Sequence, residues 1–320
     1  MRQTPGRVAG ILNLADSISL LLLTAGRTEF LRECVESIQR QSRPPLRLVV
    51  VNDGPALSRK VENQLRSACP RVELGQTSRP KSGQWAAFRK GLEALGETQP
   101  FAIVHDDDRL KQDFVETLAI FANRQVEPWI CSHNLEVFSN KSPETFPILP
   151  TENQSFVLQD FEETCLRYSH SFIPFPGTCF GISPKRLLER VREEYREMAD
   201  VVLLCECARL AKIHFDPRPI YEYRRHEGQV SDRMNHGMED RLQDYLLETV
   251  RGTRVERQVS LILEKRRAER YFAYVWEAGT LGNYVYRKNF RWYRALRCIR
   301  NRKVKLINAL IGDIFRLKSK

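Results

Sequence analysis

FAIVHDDDRL, residues 101–110, runs from four apolar side chains, Phe101 to Val104, into three adjacent carboxylates, Asp106, Asp107 and Asp108. A short continuous apolar run of this kind fits a strand buried on both faces of a parallel sheet. Carboxylates at the end of such a strand repel one another at reduced dielectric, so the cluster needs a cation beside it. A hard divalent ion, Mg²⁺ or Mn²⁺, meets that need when one or two carboxylates and substrate phosphates complete its shell. Solvated surface charge is the plainer alternative.

Working outward, SISLLLLTAGR (17–27) and PPLRLVVVNDGP (44–55) are two more buried strands ending in turns. Amphipathic spacing predicts helices in 28–42, 57–69, 84–96 and 112–125, with Gly96 just past the third, and RVELGQ (71–76) is a short strand. Strands alternating with helices at this spacing predict an α/β, doubly wound sheet with right-handed crossovers. Ligands of such sheets bind at the carboxyl ends of the strands. Asn52 with Asp53, and Asp106 to Asp108, both lie at carboxyl ends, and they share one crevice if their strands are neighbours. Between 126 and 183 the pattern supports strands at 129–138 and 177–183 only. Helices return at 184–195 and 198–212, an extended stretch follows at 213–226, and from about 236 the pattern is helical and basic.

The length of 320 residues allows one large α/β domain with an appendage, and 42% hydrophobic with 28% charged residues excludes a disordered or fibrous chain. The formal charge of +11 is unevenly spread: residues 251–320 hold 19 Lys plus Arg against 5 Asp plus Glu, so the excess belongs to the C-terminal segment. Such a segment attracts anionic lipid, nucleic acid or acidic partners. Eight cysteines without a C-x-x-C pair point to reduced thiols and a cytosolic setting, and Cys205 and Cys207, two apart on a helix, do not face each other to hold a metal. The sequence shows no signal peptide, and its longest apolar run is too short to span a bilayer.

The stretches 17–55, SGQWAAFRKGLEALGETQPFAIVHDDDRL (82–110) and MADVVLLCECARLAKIHFDPRPIYEYRRHEGQVS (198–231) together resemble family 2 glycosyltransferases of the GT-A fold. The resemblance covers about residues 17–232 and rests on the order and spacing of several motifs. It implies an inverting transferase that uses a nucleotide-diphosphate sugar as donor. The turn Asn52-Asp53-Gly54-Pro55 stands where the family holds base and ribose, usually as Asp-Asp-Gly-Ser, and the departure leaves the base open. The family's Asp-x-Asp maps onto Asp106 and Asp108, and a register shifted by one aligns His105 with its first Asp. Asp108 is in the motif either way. The resemblance implies cation ligands at Asp106 and Asp108, a cation ligand or diphosphate contact at His226, for which an ordinary surface histidine is the alternative, and donor contacts at Thr24, Asn52, Asp53, Gly83, Asp106, Asp107 and Arg225. Lys81 or Arg89, and Arg224, are further phosphate candidates, against which stands the reading of ordinary solvated charges. The family's base, at the start of a helix and often Glu-Asp, maps onto Ala199-Asp200. Asp200 is thus the expected general base, its ionised form favoured by the helix N-terminus; a simple helix cap is the alternative.

In VKLINALIGDIFRLK (304–318), Leu306, Ile307, Leu310, Ile311, Ile314 and Phe315 form one stripe flanked by basic residues, as in an interfacial helix on anionic lipid. A helical subdomain packed on the catalytic domain reads equally well. The expected division is a lead at 1–16, a catalytic domain at 17–235 and a basic helical segment at 236–320. The expected setting is cytoplasmic, peripheral at the inner membrane face, with a lipid-linked or cell-surface glycan as acceptor. Three readings compete: a nucleotidyltransferase, for which 22–30 offers only Gly26 as a phosphate loop; a nucleic-acid-binding protein, which leaves Asp106 to Asp108 unexplained; and a degenerate transferase, which Asn52 and Ala199 keep open.

Overall fold

The computed structural model describes residues 18–78, 82–97, 100–149, 152–226 and 236–278. Strands and helices alternate at first: β1 (Ser19–Thr24), α1 (Thr28–Gln39), β2 (Arg47–Asn52), α2 (Arg59–Ala68), β3 (Val72–Gln76), α3 (Gln84–Leu95), β4 (Phe101–His105), β5 (Arg109–Leu110) and α4 (Phe114–Ala122). Then follow β6 (Trp129–Ser139), β7 (Ser142–Pro147), β8 (Phe156–Leu158), α5 (Phe161–His170), β9 (Cys179–Phe180), α6 (Pro184–Leu188), α7 (Ala199–Cys207), β10 (Lys212–Arg225), α8 (His236–Thr249) and α9 (Glu256–Ala278). Two compact units result, one ending at Tyr245 and the other starting at Leu246.

Among the described residues the strands form one sheet in the order β3-β2-β1-β4-β9-β6-β10-β5, with β7 on β6 and β8 on β10. β1, β2, β3 and β4 are mutually parallel, as the unbroken apolar runs of β1, β2 and β4 predict. Leu20, Leu21, Leu22, Ile103 and Val104 are fully buried. The strands that carry Asn52 and Asp106 are not neighbours, because β1 lies between them. The crevice therefore forms around the end of β1, with one polar turn on each side.

Other departures have local causes. The FAIVHDDDRL strand stops at His105; the three carboxylates form the turn to the two-residue β5, which pairs antiparallel with β10. The helix expected over 184–195 ends at Leu188, and a 3-10 turn at Glu193–Met198 leads into α7. β10 is a single 14-residue strand despite Pro217 and Pro219, since its pairing with β6 shifts register between Asp216 and Tyr221, where the missing N–H groups cost no ladder bonds. α5 is capped at its start: Asp160 accepts from the Glu163 N–H, and Glu163 accepts from the Gln159 N–H just before it. Cys34, Cys69, Cys131, Cys165, Cys179, Cys205 and Cys207 are buried free thiols, and Cys298 lies outside the described residues. No described helix is long and apolar enough to cross a membrane. The 304–318 stripe lies outside the described residues.

Candidate active site

The end of β1 anchors both flanking turns. The Asp53 N–H donates to the Thr24 carbonyl at 2.7 Å, and the Asp106 N–H donates to the Leu23 carbonyl at 3.1 Å. Thr24 Oγ1 then donates to Asp106 Oδ2 at 2.7 Å, and the Ala25 N–H joins it at 3.0 Å. The backbones approach so closely here that a Cβ on Gly54 would lie 2.0 Å from the Ala25 carbonyl oxygen, so this position excludes every side chain.

In the β2 turn, the Asn52 amide donates to the Pro55 carbonyl at 2.6 Å and to Gln76 Oε1 at 2.9 Å, while its oxygen accepts from the Gly54 N–H. Both amide protons thus shape the turn. Asp53 Oδ1 accepts from Thr77 Oγ1 and the Ser82 N–H, and Oδ2 from the Gly83 N–H at 2.8 Å. Asp53 so fixes the loop entering α3, where Gly83 takes φ +102°, a backbone that favours glycine.

The three carboxylates of the next turn have three different environments. Asp106 is 1% exposed and spends its oxygens on Thr24, Ala25 and Arg27, whose Nη2 lies 2.6 Å from Oδ1. Asp107 pairs with Arg27 Nη2 at 2.9 Å and with His226 Nε2 at 3.1 Å. Burial pushes its carboxyl up, but the Arg27 guanidinium, the His105 ring and the His226 bond together hold it below the ordinary value. Asp108 is fully buried, and burial followed by the Asp107 charge raises its carboxyl well above the ordinary value. Its two hydrogen bonds, from the Arg224 N–H at 2.8 Å and Tyr221 Oη at 2.9 Å, only partly offset this. Burial lowers the His105 imidazole, and its Nε2 lies 3.4 Å from the Gln84 amide.

Among the described residues one group of donors fits a cation. Ligand atoms of His105, Asp107 and Asp108 all lie within 4.8 Å of one another. One imidazole nitrogen with two carboxylate oxygens suits Mn²⁺, and a cation there would supply the charge that buried Asp108 requires to ionise. Of the expected ligands, Asp108 is in this group. Asp106 instead faces Thr24, Ala25 and Arg27, while His226 faces Asp107 and Arg27 and packs on Phe30 with centroids 4.8 Å apart.

At the end of β10, Arg224 is fully buried and committed to internal bonds. Nε donates to the Asp107 carbonyl at 2.7 Å, Nη2 to Glu33 at 2.6 Å and Nη1 to Asn140, with Phe30 and Phe138 against the guanidinium. It holds the acidic turn against α1. Arg225 is exposed and Arg89 half-buried. Lys81 lies outside the described residues.

Asp200 sits in the first turn of α7, whose N-cap is Met198, so Asp200 is not the cap. Its Oδ1 accepts the Val201 N–H at 2.8 Å, and burial, outweighing bonds from backbone N–H groups, pushes its carboxyl up to about 6. The expected preference for the ionised form is thus reversed in sign, because desolvation outweighs the helix N-terminus. Among the described residues no hydrogen bond or ion pair links Asp200 to the acidic turn.

Arg27 and Tyr221 were not legible as site residues. A signal existed for Arg27, a cation at the carboxyl end of the strand beside an acidic cluster in need of one. Tyr221 gave none, because its partner is 113 residues away.

Comparisons with known proteins bear on the family and the fold. Residues 15–214 match the family model described as "Glycosyltransferase like family 2". The chain is 26% identical over 122 residues to EpsH of Bacillus subtilis (strain 168), designated a glycosyltransferase; the match covers 38% of this chain and about a third, 34%, of EpsH. The structure of S. aureus TarS residues 1–349 superposes with a TM-score of 0.56 at 12% identity, covering 78% of this chain and 69% of that one. The same TarS fragment in complex with UDP-GlcNAc superposes equally well, covering 78% and 71%. With the family model spanning more than half of its length and the sheet of a GT-A enzyme, the chain belongs to the glycosyltransferase family 2-like proteins.

Proposed function

We propose that the protein transfers a sugar, with inversion, from a nucleoside-diphosphate donor to an acceptor hydroxyl. The observation that carries this reading is the convergence of His105, Asp107 and Asp108 at the end of β4, across the end of β1 from the Asn52–Asp53 turn. Uridine is the base we propose, by analogy with the UDP-GlcNAc complex of TarS.

In this reading His105, Asp107 and Asp108 hold a divalent cation, Mn²⁺ or Mg²⁺, which when bound neutralises charge on the leaving diphosphate. Thr24, Asp53 and Gly83 shape the base and ribose side, and Arg225 faces the diphosphate. Asp200 accepts the proton of the acceptor hydroxyl as that oxygen bonds to the anomeric carbon. The bond from that carbon to the diphosphate oxygen breaks, and its electron pair leaves with the nucleotide. With its carboxyl near 6, Asp200 is still mostly ionised at neutral pH and is a stronger base than an ordinary aspartate. A lipid-linked or cell-surface glycan as acceptor, and contact of the basic 236–320 segment with an anionic membrane, complete the proposal.

The test is nucleotide release from a panel of UDP-, GDP- and dTDP-sugars with Mn²⁺, with and without candidate glycan acceptors. Acceptor-stimulated release from one donor class supports the reading. Turnover of none of them, by protein that also binds no nucleotide, removes it.

A further inference from the structure

Arg27 is placed for more than structural neutralisation. It directly precedes α1 and makes no side-chain cap there. One nitrogen, Nη2, reaches Asp106 Oδ1 at 2.6 Å and Asp107 Oδ2 at 2.9 Å, and Nη1 lies 3.3 Å from His226. Asp107 is therefore shared between Arg27 and the donor group of His105, Asp107 and Asp108. The Arg27 side chain is 39% exposed, whereas that of Asp106 is 2% exposed, so the guanidinium lies on the solvent side of the carboxylates. Among the described residues its buried Nε has no hydrogen-bond partner, a donor that the resting arrangement leaves unspent. The carboxylates do not depend on it alone: Asp106 keeps Thr24 and Ala25, and Asp107 keeps His226.

From these relationships, and resting on the donor site proposed above, we infer that Arg27 is a resident counter-ion that exchanges partners. In the free protein it neutralises Asp106 and Asp107. When a divalent cation takes Asp107, Arg27 releases that oxygen and turns its planar fork to the donor diphosphate, for which paired N–H groups are well matched. The exchange keeps the site near electrical balance before and after donor binding, so neither buried carboxylates nor diphosphate stand uncompensated. Arg27 is thus a positioning residue for the acidic turn and a specificity element for a diphosphate.

The exchange predicts opposite effects of one substitution on two ligands. Full-length wild-type protein, Arg27→Gln and Arg27→Lys are titrated with Mn²⁺ alone, free ion being followed by electron paramagnetic resonance, and then with UDP at saturating Mn²⁺ by calorimetry. Removing a competing positive charge makes Arg27→Gln bind Mn²⁺ about tenfold tighter than wild type, and Arg27→Lys, which keeps the charge but loses the fork, falls between them. UDP with Mn²⁺ binds Arg27→Gln about tenfold more weakly. Unchanged or weaker Mn²⁺ binding by Arg27→Gln, with a thermal melt showing it folded, overturns the counter-ion role, as does unchanged UDP affinity for the diphosphate role. Should Arg27→Gln not fold, Arg27→Lys carries the same comparison, and Mn²⁺ binding no tighter than wild type overturns the proposal. If the Mn²⁺ effect appears while wild type binds no UDP, Arg27 stands as counter-ion and the donor reading fails.

Discussion

Tyr221 Oη donates to Asp108 Oδ2 at 2.9 Å and accepts from the His105 N–H at 3.2 Å, so one buried hydroxyl ties the end of β4 to the acidic turn from β10. Removing it strands a buried acceptor and a buried donor together. Tyr221→Phe is expected to cost about 1–3 kcal/mol of stability in urea unfolding and to weaken Mn²⁺ binding, because Asp108 loses a bond that favours its ionised form. Unchanged stability would show that the bond contributes nothing net.

Asp200 gives a pH dependence whose sign can be worked out. Its carboxyl is near 6 in the folded protein against an ordinary 3.8, so the transfer rate rises with pH through about 6 as the base ionises. Asp200→Asn should lose about 10²–10⁴ in transfer while keeping nucleotide affinity. A rate profile flat from pH 5 to 8 would remove Asp200 as the base.

The same shift has the opposite effect on stability. A group whose folded value is raised contributes stability below about 3.8 that is lost as pH rises through about 6. At pH 7.5, Asp200→Asn is therefore expected to be more stable than wild type, by at most about 3 kcal/mol, with the gain vanishing near pH 4. Urea melts at the two pH values measure the difference directly.

Gly54→Ala places a methyl carbon 2.0 Å from the Ala25 carbonyl oxygen. Relief requires the β1 and β2 ends to part, at a cost of about 1–3 kcal/mol or more, and the Asp53 turn moves with them. Loss of UDP binding at a temperature where the variant is still folded is the expected readout.

Much of this was legible in the sequence. The unbroken runs in β1, β2 and β4 fit buried parallel strands, and their polar ends marked the crevice. Strand order was less accessible: nothing in 101–105 says that β4 sits beside β1 and not beside β2, or that the two-residue β9 inserts antiparallel between β4 and β6. The turn at Asp106 to Asp108 announced its need for a cation but not that Arg27 would supply part of it. Arg224 reads as one more charge in YRRH, yet it is fully buried, with its partners Glu33 and Asn140 contributed by distant segments. Long-range partners of this sort leave no spacing to read.

Calorimetric titration of UDP into the full-length protein with Mn²⁺ and again with EDTA, for wild type and Asp108→Ala, bears most directly on the central claim. The account predicts binding that requires Mn²⁺ and is lost in Asp108→Ala. UDP binding indifferent to both EDTA and the substitution would contradict it.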